Sequence, residues 1–470
     1  MRLLLSSAIA LVLSAVSWLG GAISVPGSPP ELDLSQFKDH QIITRDVCII
    51  GGGAAGTYAA IRLRHMNQSV VVVEKENHLG GHVNTYNDPV TKVAVDYGVL
   101  YYENQPLVQE YFDHFHIALE KVPVLGQRST PRRIDLRTGT PVSPATGDMS
   151  SALAAYSTQL LKYPYLETGF NLPNPVPPDL LLPFGEFVKK YSLEGVVDII
   201  ASFNQGVGDL LQQTTLYMLK YFNLNVIQGA MSGFFVPSSH NNSELYGAAQ
   251  NELGQDALLS STVLQTYRYE ESELVYAVVQ TPFGKRLIRA RKLIVAIPPR
   301  LGVLHGIDLD ESERELFEQF HNTCYYTALA RIPGLPQGTQ ITNRANNTNY
   351  QLPPLPAIYV INTTREPKLF SILYGSKEHM TEAKVKASMT RSVIQLRNAG
   401  IPVEPPQFVG YSDHSPFLLT LPADAIRNGF YRRLNDLQGY RNTYYMSATF
   451  NTHDSAQVWS FIDRLLETDF

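Results

Sequence analysis

One early stretch of the chain, residues 46–82, constrains the fold more than any other. A short β-branched run predicts a buried strand, and Gly51, Gly53 and Gly56 follow it in the spacing G-x-G-x-x-G. An alanine-rich segment of helical composition comes next, and a second apolar strand ends on Glu74. This order of strand, glycine loop, helix, strand and acid is the pattern of a dinucleotide-binding βαβ unit. The alternative is a tight turn that binds no ligand.

Each residue of the pattern has its own physical role in such a unit. Gly51 permits the tight turn, Gly53 lets a pyrophosphate approach the backbone, and Gly56 lets helix and strand pack closely. The free N–H groups at the helix start carry partial positive charge and attract a diphosphate. Glu74 is placed to accept hydrogen bonds from an adenosine ribose, and its charge disfavours the 2′-phosphate of NADP.

Composition excludes several classes of protein. The chain has 470 residues, 44% hydrophobic and 17% charged, which is enough to bury a large core in two or three domains. The net charge is −5 without a basic block, which argues against a nucleic-acid partner. Neither H-E-x-x-H nor C-x-x-C occurs, so we expect no metal site, and the G-x-S-x-G and P-loop motifs are also missing.

The N-terminus has the pattern of a secretory signal. Arg2 precedes an apolar run over residues 3–19, and Gly20, Gly21 and Ala22 follow it. We expect a signal peptide over residues 1–22 that is cleaved, with a retained signal anchor as the alternative. No other stretch is apolar over the length of a membrane span, so we expect no stable span after cleavage.

Four N-x-[S/T] triplets are consistent with a secreted or luminal protein. The candidate glycosylation sites are Asn67, Asn241, Asn346 and Asn362. Only two cysteines occur, and a disulfide between them is possible on count alone. Cys48 is more simply a small buried hydrophobe of the first strand.

Periodicity predicts the remaining elements. Residues 148–228 are mostly helical and rich in Tyr, Phe and Leu, which suits either ordinary core or the lining of an apolar substrate cavity. Further elements are predicted as a helix over 105–120, a hairpin over 133–142, strands over 286–290, 292–297 and 443–450, and a helix over 454–466.

Several of these segments resemble the flavin-containing amine oxidase superfamily. Glu74 is followed by Gly80-Gly81 and then by Asp96-x-Gly98, where the superfamily has a second glycine pair that lines the cofactor. Residues 444–466 are similar to its closing flavin motif, in which a helix N-terminus faces the isoalloxazine. The resemblance implies FAD as the cofactor.

The resemblance is closer to one fungal branch, the β-cyclopiazonate dehydrogenase family. It is carried by residues 80–82, 95–99, 135–139, 411–414 and 448–454. Members resemble this chain in having a signal peptide. They are FAD enzymes of fungal secondary metabolism that oxidise polycyclic natural products, in the name case closing a ring.

The resemblance also implies site residues, and at one of them this chain differs from the superfamily. His82 stands where the superfamily commonly has an Arg that supports the cofactor phosphates. The imidazole can contact the flavin, or carry a covalent bond to its 8α-methyl group. His414, roughly where amine oxidases place a flavin-linked Cys or an aromatic wall, is a second candidate for such a bond. His414 and Tyr411 are the catalytic candidates. The predicted cofactor-binding residues are Gly51, Gly52, Gly53, Ala55, Gly56, Glu74, Gly80, Gly81, His82 and Val263.

We therefore expect an α/β fold in which a Rossmann-like FAD-binding domain of amine oxidase type is interleaved with a mixed α+β substrate domain. The FAD-binding domain is predicted over 40–105, 245–305 and 430–470, and the substrate domain over 106–244 and 306–429. The predicted function is dehydrogenation, with a possible oxidative cyclisation, of a polycyclic and largely apolar natural product. The alternatives are an amine or amino-acid oxidase and a non-enzymatic lipid or prenyl-protein carrier. The oligomeric state is left open.

Overall fold

The computed structural model describes residues 32–123, 131–144 and 148–470. The predicted signal peptide over residues 1–22 lies outside the described residues. The chain divides into a short unit, Met1–Gln36, and a large unit, Phe37–Phe470. The short unit is described only from residue 32 and contains one 3₁₀ turn, Leu34–Gln36. Within the part of the chain that is described, no helix combines the length and apolar character needed to cross a membrane.

The strands within the described residues are numbered along the chain. They are β1 (Ile42–Ile50), β2 (Val70–Val73), β3 (Thr85–Asn87), β4 (Ala94–Asp96), β5 (Leu119–Val122), β6 (Arg132–Asp135), β7 (Thr140–Pro141), β8 (Phe234–Pro237), β9 (Ala257–Leu258), β10 (Thr262–Arg268), β11 (Val275–Thr281), β12 (Gly284–Val295), β13 (His321–Asn322), β14 (Cys324–Arg331), β15 (Ile341–Asn343), β16 (Ala357–Thr363), β17 (Leu369–Ser376), β18 (Gln407–Asp413), β19 (Leu419–Thr420) and β20 (Thr443–Tyr445).

The α-helices of the same residues are numbered in the same way. They are α1 (Ala54–His65), α2 (Pro106–His114), α3 (Met149–Leu160), α4 (Phe184–Lys190), α5 (Val197–Phe203), α6 (Thr215–Tyr221), α7 (Leu224–Ser232), α8 (Ser243–Leu253), α9 (Glu311–Glu318), α10 (Glu382–Ile394), α11 (Ala423–Arg427), α12 (Phe430–Asn435) and α13 (Ser455–Asp469). Short 3₁₀ turns connect several of them.

The first large sheet has the order β10-β11-β12-β1-β2-β9, and β20 pairs with the end of β12. Strands β1, β2, β9 and β20 join it by parallel pairing, whereas β10, β11 and the start of β12 form an antiparallel meander. Val47 and Ile49 of β1 pack into one core cluster, with α1, α2, α8 and α13, while Cys48 and Ile50 pack into a second. Both faces of the sheet are therefore covered, which explains the uninterrupted apolar run in β1.

The second large sheet has the order β18-β14-β17-β16-β15-β6-β7 and is antiparallel except between β6 and β15. Helix α10 packs on one face, where it shares a core cluster with Tyr326, Ile372 and Phe370. Leu329 points to the other face and packs there with Val95 of β4. This second face is the one that meets the cofactor loops, so it positions the candidate site.

A buried ion network joins the meander to the segment before α9. The Arg268 guanidinium is fully buried and donates to Asp308 at 2.7 Å and to Glu313 at 2.8 Å. Arg441 adds a second guanidinium at 2.8 Å from Asp308. Four buried or nearly buried charges therefore balance one another beneath β20.

Four predicted elements have different bounds in the structure. The helix predicted over 105–120 stops at His114, because His116 takes a positive φ and the chain then enters β5. The strands predicted over 286–290 and 292–297 form one strand, β12, which leaves the meander and continues beside β1. The strand predicted over 443–450 covers only β20, and a 3₁₀ turn, Ala448–Phe450, follows it.

Candidate cofactor site and active site

The glycine loop after β1 is sterically fixed. A Cβ atom on Gly56 would lie 1.9 Å from the carbonyl oxygen of Gly51, so only glycine fits between strand and helix. Gly51 itself has φ +102°, which L side chains rarely adopt. The loop therefore has the tight turn and close helix packing that the sequence predicts.

A second glycine loop lies against the first and leaves a groove between them. The Gly80 N–H donates to the Gly52 carbonyl at 2.8 Å. A Cβ on Gly81 would come within 2.9 Å of the Gly53 Cα, whereas a Cβ on Gly53 would meet only the Gly81 Cα at 3.8 Å. The first helical hydrogen bond of α1 runs from Thr57 to Gly53, so the preceding N–H groups have no acceptor within the helix.

Glu74 is held at the end of β2 with both carboxylate oxygens engaged. One oxygen accepts from the Gly52 N–H at 2.6 Å and the other from the Glu76 N–H at 2.8 Å. The side chain is 7% exposed, and each oxygen keeps a second lone pair for a ligand hydroxyl. The Glu74 carbonyl accepts from Ser261, two residues before Val263 of β10. The predicted cofactor residue Val263 therefore lies near the same end of the groove.

Two of the predicted histidines are stacked on each other. The His82 and His414 rings are parallel within 5° with centroids 4.4 Å apart. Surrounding protein atoms lower the pKa of His82 to about 4, although its side chain keeps solvent access. A low pKa together with solvent access suits an imidazole ring that lines a groove inside the fold. His414 is buried, its Nε2 has no hydrogen-bond partner, and burial followed by the neighbouring histidines lowers its pKa well below 6.5.

A third histidine completes this group. The His453 ring lies 4.5 Å from the Phe417 ring, and Phe417 also contacts the His82 ring at 6.5 Å. The Tyr221 hydroxyl shares a short hydrogen bond with His453 Nδ1. Burial lowers the pKa of His453 to about 3. We call His82, His414 and His453 the histidine cluster.

The histidine cluster is electrically neutral at pH 7, because all three pKa values lie below that pH. Neutral imidazoles can accept a proton, and they contribute no charge that would repel a substrate cation or attract an anion. The lowered pKa values also make these imidazoles weak bases, so the cluster can receive a proton only from a substrate group that becomes strongly acidic during the oxidation.

The other catalytic candidate is on the opposite face of the second sheet. Tyr411 stacks on Tyr326, and the Lys386 ammonium of α10 lies 5.3 Å from its ring centre. Tyr325, one residue from Tyr326 along β14, contacts His414 instead. Because neighbouring strand residues point to opposite faces, the fold does not bring Tyr411 to the histidine cluster.

Two acids lie at the start of α13, a buried Glu103 and a half-buried Asp454. Asp454 caps the helix by accepting from the Gln457 N–H at 3.1 Å, and Glu103 accepts from the Gln457 side chain at 2.7 Å. Burial raises the pKa of Asp454 to about 6 and raises the pKa of Glu103 well above its usual range, with the charge of Asp454 as the second cause for Glu103. The Trp459 indole donates to the Ala54 carbonyl at 3.1 Å, which joins this helix to the start of α1.

A cavity of about 400 Å³ opens between α5 and its following loop on one side and β15 and β16 on the other. Its wall mixes apolar and polar side chains, including Val360, Thr342 and Arg344. Gly206 lies between two lining residues, and a Cβ there would be 2.6 Å from Phe417 and 3.0 Å from the Tyr325 ring. The cavity is thus one layer of side chains from the histidine cluster.

These residues fit FAD. The groove between the glycine loops takes a diphosphate, Glu74 suits a ribose diol, and the neutral histidine cluster suits an uncharged aromatic ring system. The cofactor ring cannot enter between His82 and His414, because their 4.4 Å separation leaves no room for a third ring.

Comparison with solved structures identifies the fold. The NAD(P)-binding Rossmann-like domain family matches residues 49–115. The CLA-producing fatty acid isomerase from P. acnes aligns with a TM-score of 0.74 at 18% identity, over 91% of this chain and 99% of that one. Cyclohexylamine oxidase from Brevibacterium oxydans aligns with a TM-score of 0.63 at 16% identity, over 90% and 99%. The predicted fold class is confirmed: a Rossmann-like domain of amine oxidase type interleaved with a mixed α+β domain.

Fold and site together define an FAD-dependent oxidoreductase. The chain is 37% identical to the FAD-dependent oxidoreductase oblC of Cochliobolus heterostrophus, over 97% of each protein. It is 33% identical to β-cyclopiazonate dehydrogenase of Aspergillus oryzae, over 90% of this chain and 93% of that enzyme. The chain therefore belongs to the family of fungal FAD-dependent oxidoreductases that includes β-cyclopiazonate dehydrogenase, as its sequence motifs indicated.

Sequence reasoning did not find three aromatic side chains of the site. Tyr221, Tyr325 and Phe417 contact the histidine cluster from three separate parts of the chain. No motif marks the first two. Phe417 follows His414 by three residues, so the local Asp-His-Ser-Pro-Phe segment offered the only signal. The domain boundaries and the role of each site residue stay predictions.

Proposed function

We propose that this enzyme dehydrogenates a polycyclic natural product of fungal secondary metabolism, and that the 400 Å³ cavity holds the substrate. The observation that carries the proposal is the position of this cavity, one side-chain layer from three neutral imidazoles. Its size suits a drug-sized molecule. The names of the relatives, including a dehydrogenase of β-cyclopiazonate, support the same reaction class.

The wall of the cavity refines the expected substrate. Apolar residues such as Val360 suit fused rings, as the sequence predicts for a largely apolar ligand. Thr342, Asn362 and Arg344 add polar groups, so we propose that the substrate places oxygen or nitrogen functions on that side. The Arg344 guanidinium is held by Asp198 at 2.7 Å, which fixes its orientation.

Among the chain's own residues, we propose His414 rather than Tyr411 as the proton acceptor. His414 Nε2 is buried, neutral and without a partner, whereas Tyr411 is on the far face of the sheet. Phe417 and Tyr325 form the layer between the cavity and His414, so we propose that these two rings turn aside when the substrate binds. FAD supplies a two-electron acceptor when bound. The protein must then hold the substrate, exclude water and take the proton. A cyclisation after the dehydrogenation is part of the proposal.

The test is anaerobic mixing of the holoenzyme with two sets of compounds. We expect loss of visible flavin absorbance with polycyclic indole or terpenoid metabolites such as β-cyclopiazonate, but not with putrescine or cyclohexylamine. Reduction by the amines alone would favour an amine oxidase and refute the proposal. Thr342→Trp, which fills the cavity, should slow the reduction at least tenfold, while Thr390→Trp on α10 serves as the matched control.

We also propose that the protein enters the secretory pathway and is glycosylated and released. Asn67 is exposed at the turn after α1 and suits a glycan, whereas Asn362 lines the cavity, so a glycan there would fill the proposed substrate site. Treatment with an N-glycosidase should therefore shift the electrophoretic mobility of the wild type and of Asn362→Gln by the same amount, because we expect no glycan at Asn362. A protein retained in the cytosol without glycans would contradict the proposal.

A further inference from the structure

Two histidines and a glutamate meet on the outer surface of the cofactor domain. They are His65 of α1, His114 of α2 and Glu252 of α8, and each offers one ligand atom within 4.8 Å of the others. His114 Nε2 lies 2.6 Å from the Glu252 carboxylate, and the two imidazole centroids are 4.5 Å apart. All three side chains are exposed. They lie at the far end of α1 from the cofactor groove, about 17 Å along a helix of this length.

An independent feature of the backbone favours a cation at the same place. His65 is the last residue of α1, His114 the last of α2, and Glu252 the last but one of α8. The C-terminus of a helix carries partial negative charge, and three such ends converge on this group. Arg64 donates to the Glu252 and Leu253 carbonyls at the end of α8 and pairs with Asp256 at 2.6 Å, a carboxylate that Arg45 also binds at 2.5 Å. The ends of α1 and α2 therefore contribute most of this negative charge.

The two imidazoles each offer a ring nitrogen to a metal ion, and Glu252 supplies the negative charge.

We propose that His65, His114 and Glu252 bind a divalent transition-metal ion, with Zn²⁺ as the best match. Two imidazoles and a carboxylate form a recognised zinc ligand set that leaves a fourth position for water. Bonds of about 2.0–2.2 Å in tetrahedral geometry place ligand atoms roughly 3.4 Å apart, so the His114–Glu252 pair must open and His65 must move inward. Exposed side chains at helix ends can make this adjustment.

The proposed ion joins three helices that build the cofactor domain. Helix α1 carries the groove at its other end, and Tyr246 of α8 contacts Gly80 of the second glycine loop. Bound metal should therefore stabilise the folded domain, since a ligand that binds only the native state raises its stability. The ion is too far from the histidine cluster to take part in the oxidation.

The experiment is a titration of untagged, chelator-treated holoenzyme with ZnCl₂, followed by calorimetry and by thermal unfolding. We expect one ion per chain, a higher unfolding temperature, and no effect of Mg²⁺ or Ca²⁺, which prefer oxygen ligands. His65→Ala, His114→Ala and Glu252→Gln should each weaken Zn²⁺ at least tenfold. His78→Ala, an exposed histidine outside the group, is the matched control.

The result that overturns the proposal is Zn²⁺ binding that is unchanged in the His65→Ala and His114→Ala variants, or no Zn²⁺ binding by the wild type. Retained flavin colour verifies that each variant is folded. Because Glu252→Gln keeps the size and the hydrogen bonds of the glutamate, it remains informative if a histidine variant does not fold.

Discussion

Substitution of Gly53 by alanine separates cofactor binding from folding. Gly53 has φ −73°, which alanine adopts without strain, and the added Cβ would meet only the Gly81 Cα at 3.8 Å. Alanine is a poorer N-cap than glycine, by roughly 1 kcal/mol or less. The unfolding temperature of the cofactor-free protein should therefore fall by no more than about 4 °C.

The same methyl group occupies the groove where a diphosphate must pass. It would hold the phosphate away from the N–H groups at the start of α1. Each charge-assisted hydrogen bond lost costs about 1.5–3 kcal/mol, which corresponds to a loss of FAD affinity of roughly 10- to 150-fold. Gly56→Ala is the contrasting variant, because its Cβ would lie 1.9 Å from a backbone oxygen. Overpacking of this kind costs about 3 kcal/mol or more, so this variant should lose stability with or without FAD.

The assay removes FAD, measures the unfolding temperature of the apoprotein, and titrates FAD back while following the quenching of flavin fluorescence. Two results would refute the reasoning. One is a Gly53→Ala protein that binds FAD within threefold of the wild type. The other is a Gly53→Ala apoprotein that is destabilised as much as Gly56→Ala, since the groove would then be filled by the protein itself.

The remaining predictions concern buried charges and the attachment of the cofactor. Arg268→Met leaves two buried carboxylates with only the guanidinium of Arg441 and should lower the free energy of unfolding in urea by about 3–5 kcal/mol, against about 0–1 for the exposed Arg427→Met. Burial lowers the pKa of Lys220 to about 7, so the folded chain holds fewer protons than the unfolded chain between pH 7 and 10.5. The stability of the wild type relative to Lys220→Met should therefore rise with pH through that window, and a flat difference in urea titrations would contradict this. Acid precipitation should release FAD into the supernatant, because the groove between the glycine loops and Glu74 can hold FAD without a covalent bond. Colour in the pellet that His414→Gln or His82→Gln abolishes would instead identify a covalent bond.

The sequence predicted the cofactor half of the site because its determinants are local. Gly51, Gly53, Gly56 and Glu74 lie within one βαβ unit, and the backbone geometry of that unit fixes what each can do. The structure arranges them as the spacing implies, with Glu74 bonded to the loop at Gly52. Steric requirements that act over about 25 residues can be read from one sequence.

The substrate half could not be predicted in the same way. The histidine cluster joins residues more than 300 positions apart, and Tyr411 and His414 looked equivalent because they are neighbours in sequence. Which of them faces the cofactor depends on the pairing of β18 with β14, where Tyr411 lies opposite Ala328. A shift of one residue in that register would exchange the two faces, and nothing in the local sequence determines the register.

The histidine at position 82 connects the two halves. In the related superfamily an arginine at this position supports the phosphates, whereas His82 is uncharged at pH 7 because its pKa is about 4. The positive end of α1 must then provide more of the attraction for the diphosphate than it would beside an arginine. This is the physical reason to expect a large effect of Gly53→Ala, the substitution that moves a phosphate away from that helix end. It also follows that the histidine cluster contributes no change in FAD affinity between pH 6 and 8. Any change in that range is expected from Asp454 and Asp96, because burial raises the pKa of Asp454 to about 6 and that of Asp96 to about 7.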